Sequence, residues 1–220
     1  MHALDAALRS GVAQLGLVLT EDQIAQLLGY LDLIQKWTKV YNLTAVRNPE
    51  EMLTHHLLDS LAVVAPLRLQ LLAQRAVDRD IRLLDVGSGA GLPGVVIAIC
   101  CPELVVHCVD TVAKKAAFIQ QVALQLKLPN LRGIHARVES LTDRYEIISS
   151  RAFASLMDFT NWSGAALTEQ GVWMAMKGKH PEEEIAALPA GVEVFHVEPL
   201  VVPGLGAERC LVWMRSLTSD

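Results

Sequence analysis

Three glycines at alternate positions, directly after an apolar run, constrain the fold of this chain more than any other feature. Residues 81–86 form a short apolar run typical of a strand that is covered on both faces. Gly87, Gly89 and Gly91 follow at once, and an apolar helical segment begins after Gly94. Glycines here let the backbone turn tightly and let a ligand approach main-chain atoms without meeting a Cβ. This order predicts an α/β fold with a ligand at the turn.

The alternation of strands and helices continues towards the C-terminus. Further strands are predicted at residues 104–109, 131–136, 145–149, 171–176, 192–197 and 210–214, and helices at 95–99, 112–126 and 156–167. Because parallel strands need crossover connections, this alternation predicts a Rossmann-like, mostly parallel sheet with helices on both faces. The last two strands are joined by a loop without a helix, which predicts one antiparallel strand near the C-terminus.

The residues before the first strand are predicted to be helical. Thr20 and Gln23 have the form of a capping box, and Pro49 suits the first position of a helix capped by Asn48. The predicted helices end at Gly16, run from Thr20 to Asn42, and run from Asn48 to about Leu61. A more polar stretch, residues 68–80, then leads to the first strand. We expect residues 1–66 to be a helical extension packed as one unit on a domain of residues 67–220.

The composition is that of a globular protein. Of the 220 residues, 52% are hydrophobic and 20% are charged, which excludes disorder and coiled coil. The four cysteines form no C-x-x-C pair, and the two neighbouring histidines, His55 and His56, lack metal-ligand spacing, so we expect reduced thiols and no metal. The N-terminus lacks the apolar core of a signal peptide, and no apolar run reaches 18 residues. We therefore expect a cytoplasmic protein without membrane spans, and a monomer by default.

Charge is distributed unevenly along the chain. The net charge is −5, so binding to nucleic acid through overall charge is not expected. Between Asp110 and Arg151, however, seven basic residues face four acidic ones, so this stretch carries +3 and the remainder −8. This charge is consistent with solvated helix ends or with a local site for a polyanion. The acidic run at residues 182–184 is interpreted as an ordinary first turn of a helix.

The glycine turn by itself leaves two kinds of ligand open. Gly89, Gly91 and Gly94, with Asp110 after the next strand, also match a dinucleotide fingerprint. Asp85 at the end of the first strand would repel a pyrophosphate, and Pro93 removes a backbone donor that a pyrophosphate uses. A ligand with a cationic centre, and with a ribose for Asp110, fits these residues better.

The residues from Asp85 to Gly91, followed by an acid after the next strand, resemble class I S-adenosylmethionine-dependent methyltransferases. Four blocks together are similar to the bacterial small-subunit rRNA guanine-N7 methyltransferase G family, also called glucose-inhibited division protein B. They are residues 37–44 (WTKVYNLT), 56–60 (HLLDS), 89–94 (GAGLPG) and 150–154 (SRAFA). The resemblance covers nearly the whole chain.

The resemblance implies roles for individual residues. It implies S-adenosylmethionine as cofactor, bound by Gly87, Gly89, Leu92, Asp110, Val138, Glu139 and Arg151. Within this set, Asp110 would hold the ribose hydroxyls, and Val138 and Glu139 would lie beside the adenine. Candidate RNA-binding residues are Lys114, Lys115, Arg137, Phe153 and Lys177.

The resemblance implies methylation of N7 of a guanine, at position 527 of 16S rRNA, in naked rRNA or in the assembled 30S particle. Guanine N7 has a free lone pair, so the reaction needs alignment but no general base. Arg151 and Lys177 are candidates for positioning the RNA, and Phe153 for stacking on a base. The chain lacks the Asn/Asp-Pro-Pro-aromatic motif of amino-methylating enzymes and a Pro-Cys nucleophile. A nicotinamide-dependent oxidoreductase, a small-molecule methyltransferase and a non-catalytic cofactor-binding protein are the alternatives.

Overall fold

The computed structural model describes residues 2–73 and 81–217 of the chain. Its N-terminal part is helical, with these elements: α1 (Asp5–Gln14), α2 (Glu21–Tyr41), α3 (Pro49–Met52), a π-helical segment (Leu53–Leu58), α4 (Asp59–Leu61) and α5 (Val64–Ala73). None of the described helices is both long and apolar enough to span a bilayer. The four cysteines are buried and unpaired, as expected.

The predicted helix ends of α2 and α3 are confirmed by their hydrogen bonds. The Gln23 amide donates to Thr20 Oγ1 at 3.2 Å, and the Thr20 amide donates to Gln23 Oε1 at 2.9 Å. These two bonds complete the capping box of α2, which ends at Asn42 in the left-handed conformation. Asn48 Oδ1 accepts from two backbone amides of the first turn of α3.

Two features of the helical part differ from the prediction. The single helix predicted from Asn48 to about Leu61 is interrupted by the π-helical segment, which has an extra residue per turn that apolar spacing does not reveal. The predicted polar connection at residues 68–80 begins as helix α5, in which Leu71 packs against the core while Leu69 and Leu72 are exposed. Residues 74–80 of that connection lie outside the described residues.

A seven-stranded sheet forms the centre of the molecule. The strands are β1 (Arg82–Val86), β2 (Val105–Asp110), β3 (Leu131–His135), β4 (Tyr145–Arg151), β5 (Leu167–Lys177), β6 (Val192–Leu200) and β7 (Arg209–Ser216). Their order is β3-β2-β1-β4-β5-β7-β6. Strands β1 to β5 pair in parallel, and β7 is antiparallel to both of its neighbours, so the predicted reversed strand is confirmed.

Helices cover both faces of the sheet, as predicted. They are α6 (Gly94–Cys100), α7 (Ala113–Gln125), α8 (Leu156–Ser163) and α9 (Glu182–Ala186). Neighbouring strand residues belong to different apolar clusters: Leu83 packs on the side of the N-terminal helices, and Leu84 packs on the side of α8. The helix predicted at residues 156–167 ends earlier, at Ser163, and β5 begins at Leu167 rather than at Gly171.

Helix α2 is bonded directly to the glycine turn and to the helices beside it. Tyr30 Oη is buried and donates to the carbonyl oxygen of Ala90 at 2.6 Å. The side-chain amides of Gln23 and Gln26 donate to the carbonyls of Ile99 and Leu126, at the ends of α6 and α7. The N-terminal helices therefore help to set the position of the turn.

Candidate active site

The glycine turn after β1 lies at the carboxyl end of the parallel strands, between β2 and β4. Gly87, Gly89 and Gly91 all have left-handed φ angles, of +63°, +59° and +88°. A Cβ on Gly87 would lie 2.0 Å from Cδ2 of Phe153, whose ring covers the turn. Only glycine fits at this position. In open α/β sheets, ligands bind in the crevice at this point of the strand order.

Asp85 does not have the role for which the sequence suggested it. Its carboxylate is fully buried, where Oδ2 accepts from the Gly94 amide at 3.0 Å and Oδ1 accepts from Ser149 Oγ at 2.9 Å. Burial raises the pKa of Asp85 to about 7. Because Asp85 lines neither of the cavities described below, the expectation that it meets a cationic ligand is wrong. It joins β1, β4 and the start of α6 beneath the turn.

Asp110 ends β2 and accepts hydrogen bonds from the loops on both sides of it. The Gly89 amide donates to Oδ2 at 3.0 Å, and the Val112 amide donates to Oδ1 at 2.9 Å. Lys115 Nζ lies 3.6 Å from Oδ2. Each carboxylate oxygen retains a lone pair for a further donor. The carboxylate is therefore fixed in place for a ligand with hydroxyl groups.

Two adjoining cavities lie over the turn. The first, which we call the Asp110 cavity, has a volume of about 490 Å³ and includes Trp162. Of the predicted site residues, it brings together Asp110, Lys115, Arg137, Val138, Glu139 and Phe153. The second, the Arg151 cavity, also has about 490 Å³ and brings together Gly89, Leu92, Arg151 and Lys177. Gly87 and Ala152 line both cavities, whereas Lys114 is exposed and lines neither.

The placement of Phe153 and Lys115 bears on their predicted contacts with RNA. Phe153 packs edge-on against Trp162, with ring centroids 5.7 Å apart, in the Asp110 cavity rather than in the Arg151 cavity. Lys115 is paired with the Asp110 carboxylate. Both residues thus face the side of the site that holds the Asp110 carboxylate. Their contacts with RNA stay predictions.

Lys177 enters the Arg151 cavity already paired. Its Nζ donates to Glu184 Oε2 at 2.7 Å and to the carbonyl oxygen of Ala154 at 2.9 Å. Glu184 also accepts from the Leu156 amide at 2.7 Å. Glu184 belongs to the acidic run interpreted above as an ordinary helix turn, but it links α9 to Lys177 and to the start of α8. The positive charge of Lys177 is largely compensated in this state.

His56 lines the Arg151 cavity and is held by Thr44. The distance from its Nε2 to Thr44 Oγ1 is 2.9 Å, while the buried Nδ1 has no hydrogen-bond partner within the described part of the chain. Burial, followed by the positive charge of Arg151, lowers the pKa of His56 to about 4. The imidazole is therefore neutral at pH 7. Both residues lie in blocks on which the resemblance rests, but sequence alone did not give them a role.

Asp59, which sequence reasoning missed, pairs with two arginines in the Arg151 cavity. It is 2% exposed and accepts from Arg151 Nη1 at 2.8 Å and from Arg209 Nε at 2.9 Å. Asp59 lies in the HLLDS block, which is a signal that could have identified it. Arg209 lies in no quoted block. Across residues 2–73 and 81–217, no three His, Cys, Asp or Glu side chains are grouped as a metal site would require.

Solved structures with a similar fold include proteins named as methyltransferases. TrmN from Thermus thermophilus superposes with a TM-score of 0.53 and 21% identity over 69% of this chain and 49% of its own. A SAM-dependent methyltransferase from Aquifex aeolicus gives a TM-score of 0.53 and 15% identity over 77% of this chain and 99% of its own. The strand order and the glycine turn define the same class, the Rossmann-like methyltransferase fold.

Sequence comparisons identify the family within this class. The model of the GidB family, rRNA small subunit methyltransferase G, matches residues 23–212. Proteins named ribosomal RNA small subunit methyltransferase G from Albidiferax ferrireducens and from Polaromonas sp. strain JS666 are 71% and 70% identical, each over 98% of this chain and over 98% and 95% of their own. The chain belongs to the rRNA small subunit methyltransferase G family and is a methyltransferase. These findings do not favour the oxidoreductase alternative.

Proposed function

We propose that this enzyme transfers a methyl group from S-adenosylmethionine to N7 of a guanine in 16S rRNA, at position 527. The name shared by the family model and the relatives supports a small-subunit rRNA substrate. The observation that carries the proposal is the pair of adjoining cavities, one with a fixed carboxylate and one lined by cationic donors, which meet at Gly87 and Ala152. A methyl group could pass between two ligands at that junction.

The residues of the Asp110 cavity fit the cofactor. Asp110 has lone pairs for ribose hydroxyls, and Val138 offers an apolar surface for an adenine ring. Ser88, at the turn, lines the neighbouring Arg151 cavity, and its buried Oγ has no hydrogen-bond partner among the described residues. When bound, the cofactor supplies a sulfonium methyl group. The chain's contribution is to hold Gly87, Gly89 and Leu92 around that group and to exclude water.

The residues of the Arg151 cavity would bind and orient the RNA. Arg151 would donate to acceptor oxygens of the base or of a phosphate, and neutral His56 helps to form the wall. Lys177 would donate to the RNA only by giving up part of its pairing with Glu184. No residue has to remove a proton, because the N7 lone pair is free. Lys114, which lines neither cavity, and Arg137, which lines the Asp110 cavity, would contact the RNA backbone.

The reaction is tested by transfer of a radiolabelled methyl group from S-adenosylmethionine to small-subunit rRNA, as naked RNA and as the 30S particle. We expect the label in 7-methylguanosine at a single position. We further propose that the enzyme acts as a cytoplasmic monomer and that the particle is the better substrate, because the net charge of −5 disfavours binding to naked RNA. Label in another nucleoside, or none in either RNA, would contradict the proposal.

Asp110→Asn is expected to weaken binding of S-adenosylmethionine about 10- to 100-fold, as hydrogen bonds to a charged group contribute about 1.5–3 kcal/mol. The asparagine amide cannot accept from both backbone amides and from the ribose hydroxyls. Isothermal titration calorimetry measures the change. The control is Glu193→Gln, which removes a partly exposed carboxylate of β6 that pairs with Arg215 of β7, and this variant should bind as the wild type does. Equal affinity of the Asp110 variant would exclude the ribose role.

A further inference from the structure

Asp59 joins two arginines that come from distant parts of the chain. It lies in α4, whereas Arg151 ends β4 and Arg209 begins β7. The Arg151 and Arg209 side chains are 20% and 25% exposed, and both line the Arg151 cavity. The carboxylate is buried and uses one oxygen for each guanidinium group. Three elements of the fold therefore meet at a single carboxylate on the cavity wall.

Each guanidinium group is fixed on one side and keeps donors on the other. Arg151 Nη1 also donates to the carbonyl oxygen of His55, and Arg209 Nη1 to that of Glu208, both at 2.9 Å. Within the described residues, neither Nη2 group has a protein partner. Because one carboxylate serves two cations, the cluster has a net charge of +1. The cluster therefore offers donors and positive charge to the cavity, and both carboxylate oxygens of Asp59 are already bonded to the arginines.

We propose that Asp59 is a positioning residue that holds Arg151 and Arg209 so that their Nη2 groups bind an acceptor oxygen of the RNA, either a phosphate oxygen or O6 of the guanine. This inference rests on the proposed function and names the chemistry by which the Arg151 cavity binds its substrate. An unrestrained arginine has many rotamers, and two neighbouring guanidinium groups repel each other. The shared carboxylate removes both obstacles before the RNA arrives.

The same arrangement favours guanine over adenine if the acceptor is O6. Guanine presents an acceptor where adenine presents an amino group, and an amino group facing an arginine would leave two donors opposed. A phosphate acceptor would instead orient the backbone next to the target nucleotide. Either acceptor leaves N7 without a hydrogen bond and so available for methyl transfer.

The test compares Asp59→Asn with Asp143→Asn. Asp143 pairs with Arg82 at 2.9 Å on the surface, so its variant controls for the loss of one ion-paired carboxylate. We expect Asp59→Asn to lower kcat/KM for small-subunit rRNA about 30-fold or more, as does the loss of one partner of a buried charge pair, with little change in the affinity for S-adenosylmethionine. Asp143→Asn should match the wild type. A normal kcat/KM for Asp59→Asn would overturn the inference.

A second measurement separates positioning from general stability. The Nε–H resonance of Arg209 in a ¹⁵N-edited NMR spectrum reports its bond to Asp59 and should shift and broaden in Asp59→Asn, while Trp213 Nε1–H, which donates to Glu198, stays in place. If Asp59→Asn does not fold, Arg209→Gln replaces it, because Arg151 then keeps the carboxylate paired. This variant should lose about tenfold or more in kcat/KM, and no loss would overturn the inference.

The dependence of RNA binding on salt distinguishes the two acceptors. Loss of one phosphate contact lowers the slope of log K against log salt concentration by about 1, whereas loss of a contact to O6 leaves the slope unchanged. Both results support the inference and assign the acceptor. If the wild type does not methylate small-subunit rRNA, the proposed function fails, and the NMR comparison still tests the role of Asp59.

Discussion

Gly87→Ala is expected to weaken binding of S-adenosylmethionine about 100-fold and to reduce methyl transfer accordingly. The new Cβ would lie 2.0 Å from the Phe153 ring, which would have to leave the junction of the two cavities. An alanine at φ +63° also costs about 1–2 kcal/mol in backbone strain, and overpacking adds about 1–3 kcal/mol. Calorimetry gives the affinity, and thermal denaturation gives the stability.

Gly206 provides a matched control for this substitution. It has the same φ, +63°, but a Cβ there would meet nothing within 4 Å. Gly206→Ala should therefore show the loss of stability from strain alone and bind the cofactor normally. Adding Phe153→Ala to Gly87→Ala removes the collision and should restore part of the affinity. If Gly87→Ala binds as tightly as the wild type, the ring does not close over the turn in the bound state.

A loss of stability between about pH 4 and pH 7 is expected from Asp85. Its pKa is 3.8 in an ordinary environment and about 7 when it is buried in the folded protein. Between these values Asp85 holds a proton in the folded state that it has released in the unfolded state. The contribution of Asp85 to stability is therefore greatest at low pH and is lost as the pH rises through 7. The full contribution is about 4 kcal/mol, from 1.36 kcal/mol per pH unit.

Asp85→Asn isolates this contribution. Asparagine can still accept from the Gly94 amide and donate to Ser149 Oγ, and it does not titrate. The variant should gain stability relative to the wild type as the pH rises from 4 to 7. His56, whose pKa is lowered to about 4, has the opposite effect, because its contribution is lost as the pH falls below 6.5, but it cancels in the difference.

The measurement is urea unfolding at several pH values, with Asp22→Asn, an exposed carboxylate on α2, as the control. For the control, the difference from the wild type should stay constant with pH. A constant difference for Asp85→Asn as well would show that Asp85 is ionised throughout.

Local sequence rules predicted most of the fold. The capping box at Thr20, the Asn48 cap and the alternation of strands and helices are signals that act within a few residues. The π-helical segment and the early start of β5 at Leu167 were missed, because packing against distant elements determines them rather than local spacing. The side of the sheet on which each strand residue lies follows directly from alternation.

The site was predicted where its residues adjoin the glycine turn in the sequence. Gly87 comes directly after β1, and Asp110 ends β2. Their place at the carboxyl edge of the sheet could therefore be predicted. Asp59 and Arg209 are 150 positions apart, and no local pattern connects them. Asp85 was misinterpreted for a different reason. Its position in the chain was clear, but whether its carboxylate faces a cavity or the interior depends on Ser149 and Gly94, which contact it only after folding.

The bonds from α2 to the glycine turn and to the ends of α6 and α7 have a consequence for the order of synthesis. During synthesis α2 leaves the ribosome well before residues 94–125, which contain α6, β2 and α7. Until then, buried residues of α2 such as Leu27 and Ile34 lack part of the surface that covers them. The nascent N-terminal helices therefore cannot complete their packing until the middle of the chain has been synthesised. A chain arrested before α7 would expose apolar surface and would be a substrate for chaperones.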